Sequence, residues 1–117
     1  MDKLDVIGLG EVCIDWVIYV ERFPEIDEKI FVKNYEKFVG GVTANFLVAF
    51  SRLGGKPGFL GGVGEDENGR RVLEKLSREG VDVTHVKKWP HRTAVNIVVV
   101  DKEGRKYICL LYTSDAA

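Results

Sequence analysis

Apolar and polar positions along the chain alternate with two different periods. Leu4 to Leu9 is a short apolar run ending among Gly8 and Gly10, and it predicts a buried strand. Glu11 to Val20 is β-rich, with Val12, Ile14, Trp16, Ile18 and Val20 on one face; Pro24 ends it because proline cannot donate to a ladder. Lys29 to Val39 interleaves charges with Ile30, Phe31, Val32, Tyr35, Phe38 and Val39, as in a sheet exposed on one face. Val42 to Leu53 switches to a helical period, with Val42, Phe46, Ala49, Phe50 and Leu53 on one stripe and Leu47 and Val48 widening it. That width predicts a heavily buried helix. Gly54 stands where a C-terminal cap residue belongs.

Pro57 to Val63 predicts a further strand. Asp66 caps a second helix reaching about Glu79, with Val72, Leu73 and Leu76 inward, Glu74 and Arg78 paired outward, and Gly80 ending it. Val81 to Val86 is another strand candidate, and Lys87-Lys88 beside Trp89-Pro90 is a solvated loop. Ala94 to Val100 and Arg105 to Leu111 form a hairpin through Asp101–Gly104. Strand and helix alternating at this spacing imply an α/β fold with parallel βαβ units. Segments 12–20 and 28–39 break that rhythm and predict an appended antiparallel sheet.

Composition narrows the partners. The 117 residues carry 17 basic and 18 acidic side chains, which gives no support to a nucleic-acid-binding surface. No apolar stretch approaches the length that spans a membrane, and Met1–Asp5 is charged where a signal peptide needs its apolar core. Cys13 and Cys109 lie in separate apolar runs without metal or redox spacing, and they predict buried, reduced thiols in a cytoplasmic protein. His85 and His91 stand near no acidic or cysteine cluster, so no metal site is expected.

Nine of the 13 glycines fall between Gly40 and Gly69. They are not a standard phosphate loop. Gly8-Leu9-Gly10 and Gly62-Val63-Gly64 each begin a dinucleotide fingerprint, but Cys13 and Glu67 occupy the third glycine positions. Gly55-Lys56 is followed by Pro57, which no P-loop accepts. An unrelated nucleotide-binding α/β domain is therefore disfavoured. Gly40-Gly41 before a helix lets a ligand reach the backbone, with Asn45 adding a donor and an acceptor, or it is simply a turn. Asp15 is the only charge between Val12 and Val20; it either faces water or binds a ligand, paired hydroxyls being suited to a carboxylate. Asn96 interrupts an apolar strand, and a cross-strand backbone contact is its simplest partner. Gly64–Gly69 is explained by Asp66 capping a helix with acids at its positive end.

Several of these residues fall into one pattern. Gly8-Leu9-Gly10-Glu11 with Asp15, Gly40-Gly41-Val42-Thr43-Ala44-Asn45, Arg52-Leu53-Gly54, Gly61–Gly69, Thr93-Ala94 and Val100-Asp101 occur in order. From Leu4 to Tyr107 the chain resembles the N-terminal part of the ribokinase-like (PfkB) carbohydrate kinase family. The resemblance implies the N-terminal part of a parallel βαβ sandwich over residues 1–109, with a β-sheet lid formed by 12–20 and 28–39. It implies transfer of the γ-phosphoryl of ATP, with magnesium, to a hydroxyl of a sugar or nucleoside. Asp15, Gly40, Gly41 and Asn45 then hold substrate hydroxyls, and Asn96 and Val98 line the same pocket. The lid would exclude water and provide a homodimer contact in the full-length protein. Thr43 and Leu47 depart from the smaller residues usual there, and Val42 stands where ribokinases have lysine, which argues against ribose. The family's catalytic base belongs to a C-terminal GAGD-type motif absent from these 117 residues. The expectation is thus an inactive fragment of a sugar or nucleoside kinase, with 110–117 a non-native tail; the alternative is a non-catalytic binding module.

Overall fold

The structure, a computed structural model, describes residues 3–112. In chain order its elements are β1 (Val6–Leu9), β2 (Cys13–Tyr19), β3 (Asn34–Gly40), α1 (Val42–Arg52), β4 (Pro57–Leu60), β5 (Gly62–Gly64), α2 (Glu67–Arg78), β6 (Lys87–Trp89), β7 (Val95–Val100) and β8 (Lys106–Tyr112). They form three sheets. β1 pairs with β4 and β5 with β6, both parallel, each pair being joined through a helix. The third sheet has the order β3-β2-β7-β8.

This third sheet corrects the expectation of an antiparallel appendage. β2 pairs antiparallel with β3 but parallel with β7. The 94–111 hairpin therefore belongs to the same sheet as 12–20, and that sheet has four strands. Residues 29–33 lie before β3, outside any strand. The expected single strand at 57–63 is two, broken at Gly61, because β4 and β5 serve different partners. The 81–86 segment contributes only a bridge from Asp82 to Gly58, whereas Lys87–Trp89, expected as a loop, is β6. β8 runs on without interruption past residue 109 to Tyr112, and 113–117 lie outside the described residues.

The core collects Val12, Ile14, Ala44, Leu47, Phe59, Val63, Val72, Leu76, Val81 and Val95. Alternation on β2 and β7 sends Ile14 and Val95 to this side, with Trp16 and Ile97 packed against it. α1 buries Ala44 and Leu47, not the predicted stripe: Val42 is 80% and Leu53 89% exposed. The helix is apolar nearly all round, so periodicity alone could not select which side met the sheet. Leu47 is thus a core residue under Gly8 and not a pocket residue. β1, expected to be buried, exposes Ile7 and Leu9, which point away from α1. Cys109, also expected to be buried, is exposed because β8 is an edge strand beyond the reach of the helices.

α2 follows its prediction more closely. The Asp66 carboxylate accepts the Gly69 amide at 2.7 Å, Val72 and Leu76 are fully buried, and Leu73 packs beside them. Glu74 pairs with Arg70, one turn back, and not with Arg78. Asp66 also accepts the Thr93 amide at 2.9 Å and its hydroxyl at 2.7 Å, and Thr93 Oγ1 accepts the Gly64 amide. One buried network therefore ties the start of α2 to the residue that leads into β7. Burial alone would raise the Asp66 carboxyl; the Thr93 and Gly69 donors outweigh it and hold the carboxyl below its ordinary value.

Candidate functional site

Register decides which side chains meet on the four-stranded sheet. Residues 13, 15 and 17 of β2 point to the face opposite the core. The parallel register sets Asp15 beside Asn96 and Val17 beside Val98. The antiparallel register sets Cys13 beside Gly40 and Asp15 beside Phe38. Across β7, Asn96 meets Leu110 and Val98 meets Ile108. The outer face thus carries a polar centre bordered by Phe38, Ile108 and Leu110, all of them exposed.

At that centre Asn96 Nδ2 donates to Asp15 Oδ1 at 2.9 Å. The amide nitrogen is so paired by side chains, not by the cross-strand backbone contact expected from the sequence. The same nitrogen lies 3.4 Å from Cys13 Sγ, and the thiol donates to Asp15 Oδ1 at 3.5 Å. Asp15 is half-buried, and Cys13 is fully buried. Burial, with the Asp15 carboxylate beside it, pushes the Cys13 thiol up to about 12. Sequence reasoning treated Cys13 only as a core thiol. Its i, i+2 spacing from Asp15 on a strand was the available signal that the two share a face.

The two glycines after this strand do different things. Gly40, the last residue of β3, leaves room over the carboxylate: a β-carbon there would stand 3.0 Å from Asp15 Cγ and closer still to Oδ2. Gly41 caps α1 with a φ of 98°, and a β-carbon would lie 2.6 Å from the Glu11 carbonyl. Only glycine fits both that backbone angle and the approach of the β1–β2 connection. Asp15, Asn96 and Gly40 are therefore assembled in contact, with Gly41 next to them. Val98 lies two residues along the same face. Asn45 is not in contact with this cluster; its exposed side chain lines a cleft of about 520 Å³ with Val39, Val48, Arg52 and Lys75.

The amides near the two helix starts are taken up by groups of the chain itself. The Gly64 and Gly69 amides at the start of α2 are already bound to Thr93 and Asp66, and Glu65 and Glu67 repel an anion there. At the start of α1 the Thr43 amide is bound to the Glu11 carbonyl. Among the described residues there is also no group of three or more His, Cys, Asp or Glu placed to hold a metal ion, and no helix long and apolar enough to cross a membrane.

Comparison with known proteins supplies the family. The model of the pfkB family carbohydrate kinases matches residues 1–117. The 5-dehydro-2-deoxygluconokinase of Geobacillus thermodenitrificans is 37% identical over 83 residues, which are 71% of this chain and 23% of that protein. A fructokinase of Escherichia coli is 36% identical over 96 residues, 78% of this chain and 29% of the relative. The chain spans about a quarter of the length of these relatives. Among solved structures, Arabidopsis thaliana ribokinase complexed with ribose and ATP superposes with a TM-score of 0.82 at 26% identity, covering 91% of this chain and 35% of that one. With its sheets, its Gly40-Gly41 helix start and its match from end to end, the chain belongs to the pfkB family of carbohydrate kinases.

Proposed function

We propose that this chain forms the hydroxyl-binding part of an ATP-dependent sugar kinase. The observation that carries the proposal is the Asp15 carboxylate: half-buried, bound at Oδ1 by Asn96, and with Oδ2, which neither Asn96 nor Cys13 contacts, seated against Gly40 where a β-carbon would otherwise stand. A substrate hydroxyl donates to this oxygen, and a charge-assisted hydrogen bond in a partly desolvated site is of the stronger kind. Gly40 gives the carboxylate its place at the β3–α1 junction, where the backbone of Gly40 and Gly41 lies next to the bound hydroxyl. Asn96 and Val98 line the floor, while Asn45 faces the separate cleft beside Val39. The names of the relatives favour a sugar or keto-sugar acid over a nucleoside. The exposed Phe38, Ile108 and Leu110 give the lid an apolar border suited to covering the substrate or pairing with a second lid.

ATP and magnesium serve the phosphoryl transfer, and their site and the catalytic base are proposed to lie outside these 117 residues. By itself the chain then acts as a sugar-binding module. That the Gly64, Gly69 and Thr43 amides are bound within the chain supports this reading of the isolated chain.

Calorimetric titration with D-fructose and with 5-dehydro-2-deoxygluconate tests the proposal. Saturable binding of at least one of them, weakened tenfold or more by Asp15→Asn, is the expected result. Equal affinity in the two proteins overturns it. ADP release by the chain with ATP and either sugar would overturn the assignment of transfer to residues elsewhere.

A further inference from the structure

The Asp15 carboxylate does not stand alone. Two donors converge on one of its oxygens: the Asn96 amide at 2.9 Å and the Cys13 thiol at 3.5 Å. The amide also reaches the sulfur at 3.4 Å, which closes a three-membered polar cluster in the outer face of the lid. Neither donor touches Oδ2. The terminal torsion of an aspartate is broad, so a carboxylate held by nothing turns freely. Here β2 supplies one holder by strand alternation and β7 the other through its register with β2. Cys13 is fully buried, and burial beside a carboxylate keeps the thiol protonated at physiological pH, so it remains a donor.

We infer that Cys13 and Asn96 are positioning residues that hold Asp15 through Oδ1 and thereby present Oδ2 to one particular hydroxyl of the sugar. The inference rests on the hydroxyl-binding reading of Asp15 and extends it from affinity to selectivity. A fixed acceptor penalises a ligand that lacks the matching hydroxyl, because the acceptor then stays dry and unpaired. A carboxylate free to turn finds another hydroxyl or water and discriminates less.

The test is the ratio of dissociation constants for D-fructose and for each of its monodeoxy analogues, measured by calorimetry on the chain and on Cys13→Ala, Cys13→Ser and Asn96→Ala. In the unaltered chain one analogue binds much more weakly than fructose. Cys13→Ala and Asn96→Ala reduce that ratio about tenfold, the size of one hydrogen bond to a charged group, whereas Cys13→Ser restores the donor and keeps the ratio. A purely structural role weakens fructose and analogue together, and an unchanged ratio in both alanine variants overturns the inference while leaving the reading of Asp15 intact. Failure of the unaltered chain to bind fructose or to discriminate among its analogues overturns the hydroxyl-binding reading and the inference with it. Should the variants fail to fold, the side-chain amide of Asn96 in the unaltered chain decides. One of its protons shifted downfield and slowed in exchange supports the clamp; a solvent-like amide overturns it.

Discussion

Gly40→Ala separates the space over Asp15 from the backbone that surrounds it. No left-handed angle is required at residue 40, so alanine is acceptable to the main chain there. The added β-carbon would instead lie 3.0 Å from Asp15 Cγ. Carbon atoms settle at about 3.5 Å or more, so Cγ must move by about 0.5 Å, and Oδ2, which lies closer still, by more. That movement forces the aspartate off its rotamer, at about 0.5–1.5 kcal/mol, or breaks the 2.9 Å bond from Asn96. A hydrogen bond to a charged group contributes about 1.5–3 kcal/mol. The expected loss is thus about 0.5–3 kcal/mol at the site, felt as a roughly twofold to hundredfold weakening of sugar binding. Calorimetry with D-fructose measures it, and denaturant unfolding checks the fold. Gly54→Ala is the control. It is strained by a φ of 98° but has nothing within 4 Å of the added carbon, so it costs stability and leaves affinity unchanged. Gly40→Ala binding fructose as tightly as the unaltered chain would refute the reasoning.

The packing sets four further outcomes. Leu47→Ala should cost about 2–5 kcal/mol by denaturant unfolding, whereas Leu53→Ala, at an 89% exposed position, should change stability by no more than about 0.5 kcal/mol; equal costs would put the wrong side of α1 in the core. Asp66→Ala should destabilise by about 1–3 kcal/mol through the unpaired Thr93 and Gly69 donors. Because the Asp66 carboxyl is lowered in the folded state, its contribution is complete above the ordinary value of 3.8 and is lost as the pH falls below that through the depressed folded value; a stability profile for Asp66→Asn with the same acid limb as the unaltered chain would contradict this. Ile7, Leu9 and Leu60 expose an apolar strand face, so light scattering should detect self-association that Leu9→Lys diminishes; a monodisperse monomer at high concentration would count against it.

The sequence disclosed local chemistry better than pairing. Asp66 as a cap, the break at Gly54 and the strand at 94–100 were legible because short-range geometry dictates them. The inward face of α1 was not, since a helix apolar on most sides leaves the choice to the sheet it meets. The four-stranded sheet was hidden for a related reason: β2 and β7 are separated by about 75 residues, and nothing local specifies that they pair in parallel. At the site, Asp15 and Asn96 each stood out as a polar residue in an apolar strand. Their mutual contact could be seen only once the register was known. Cys13 did not stand out by itself, because a cysteine in an apolar run is ordinary; only its i, i+2 spacing from Asp15 marked the shared face.

The central claim is that the sugar meets the chain at the clamped carboxylate, and amide chemical-shift mapping with D-fructose tests it most directly. Saturable shifts concentrated at Asp15, Gly40, Gly41 and the Asn96 side chain are the predicted result. Shifts confined to Gly64–Arg70 at the start of α2, or none at saturating sugar, would contradict it.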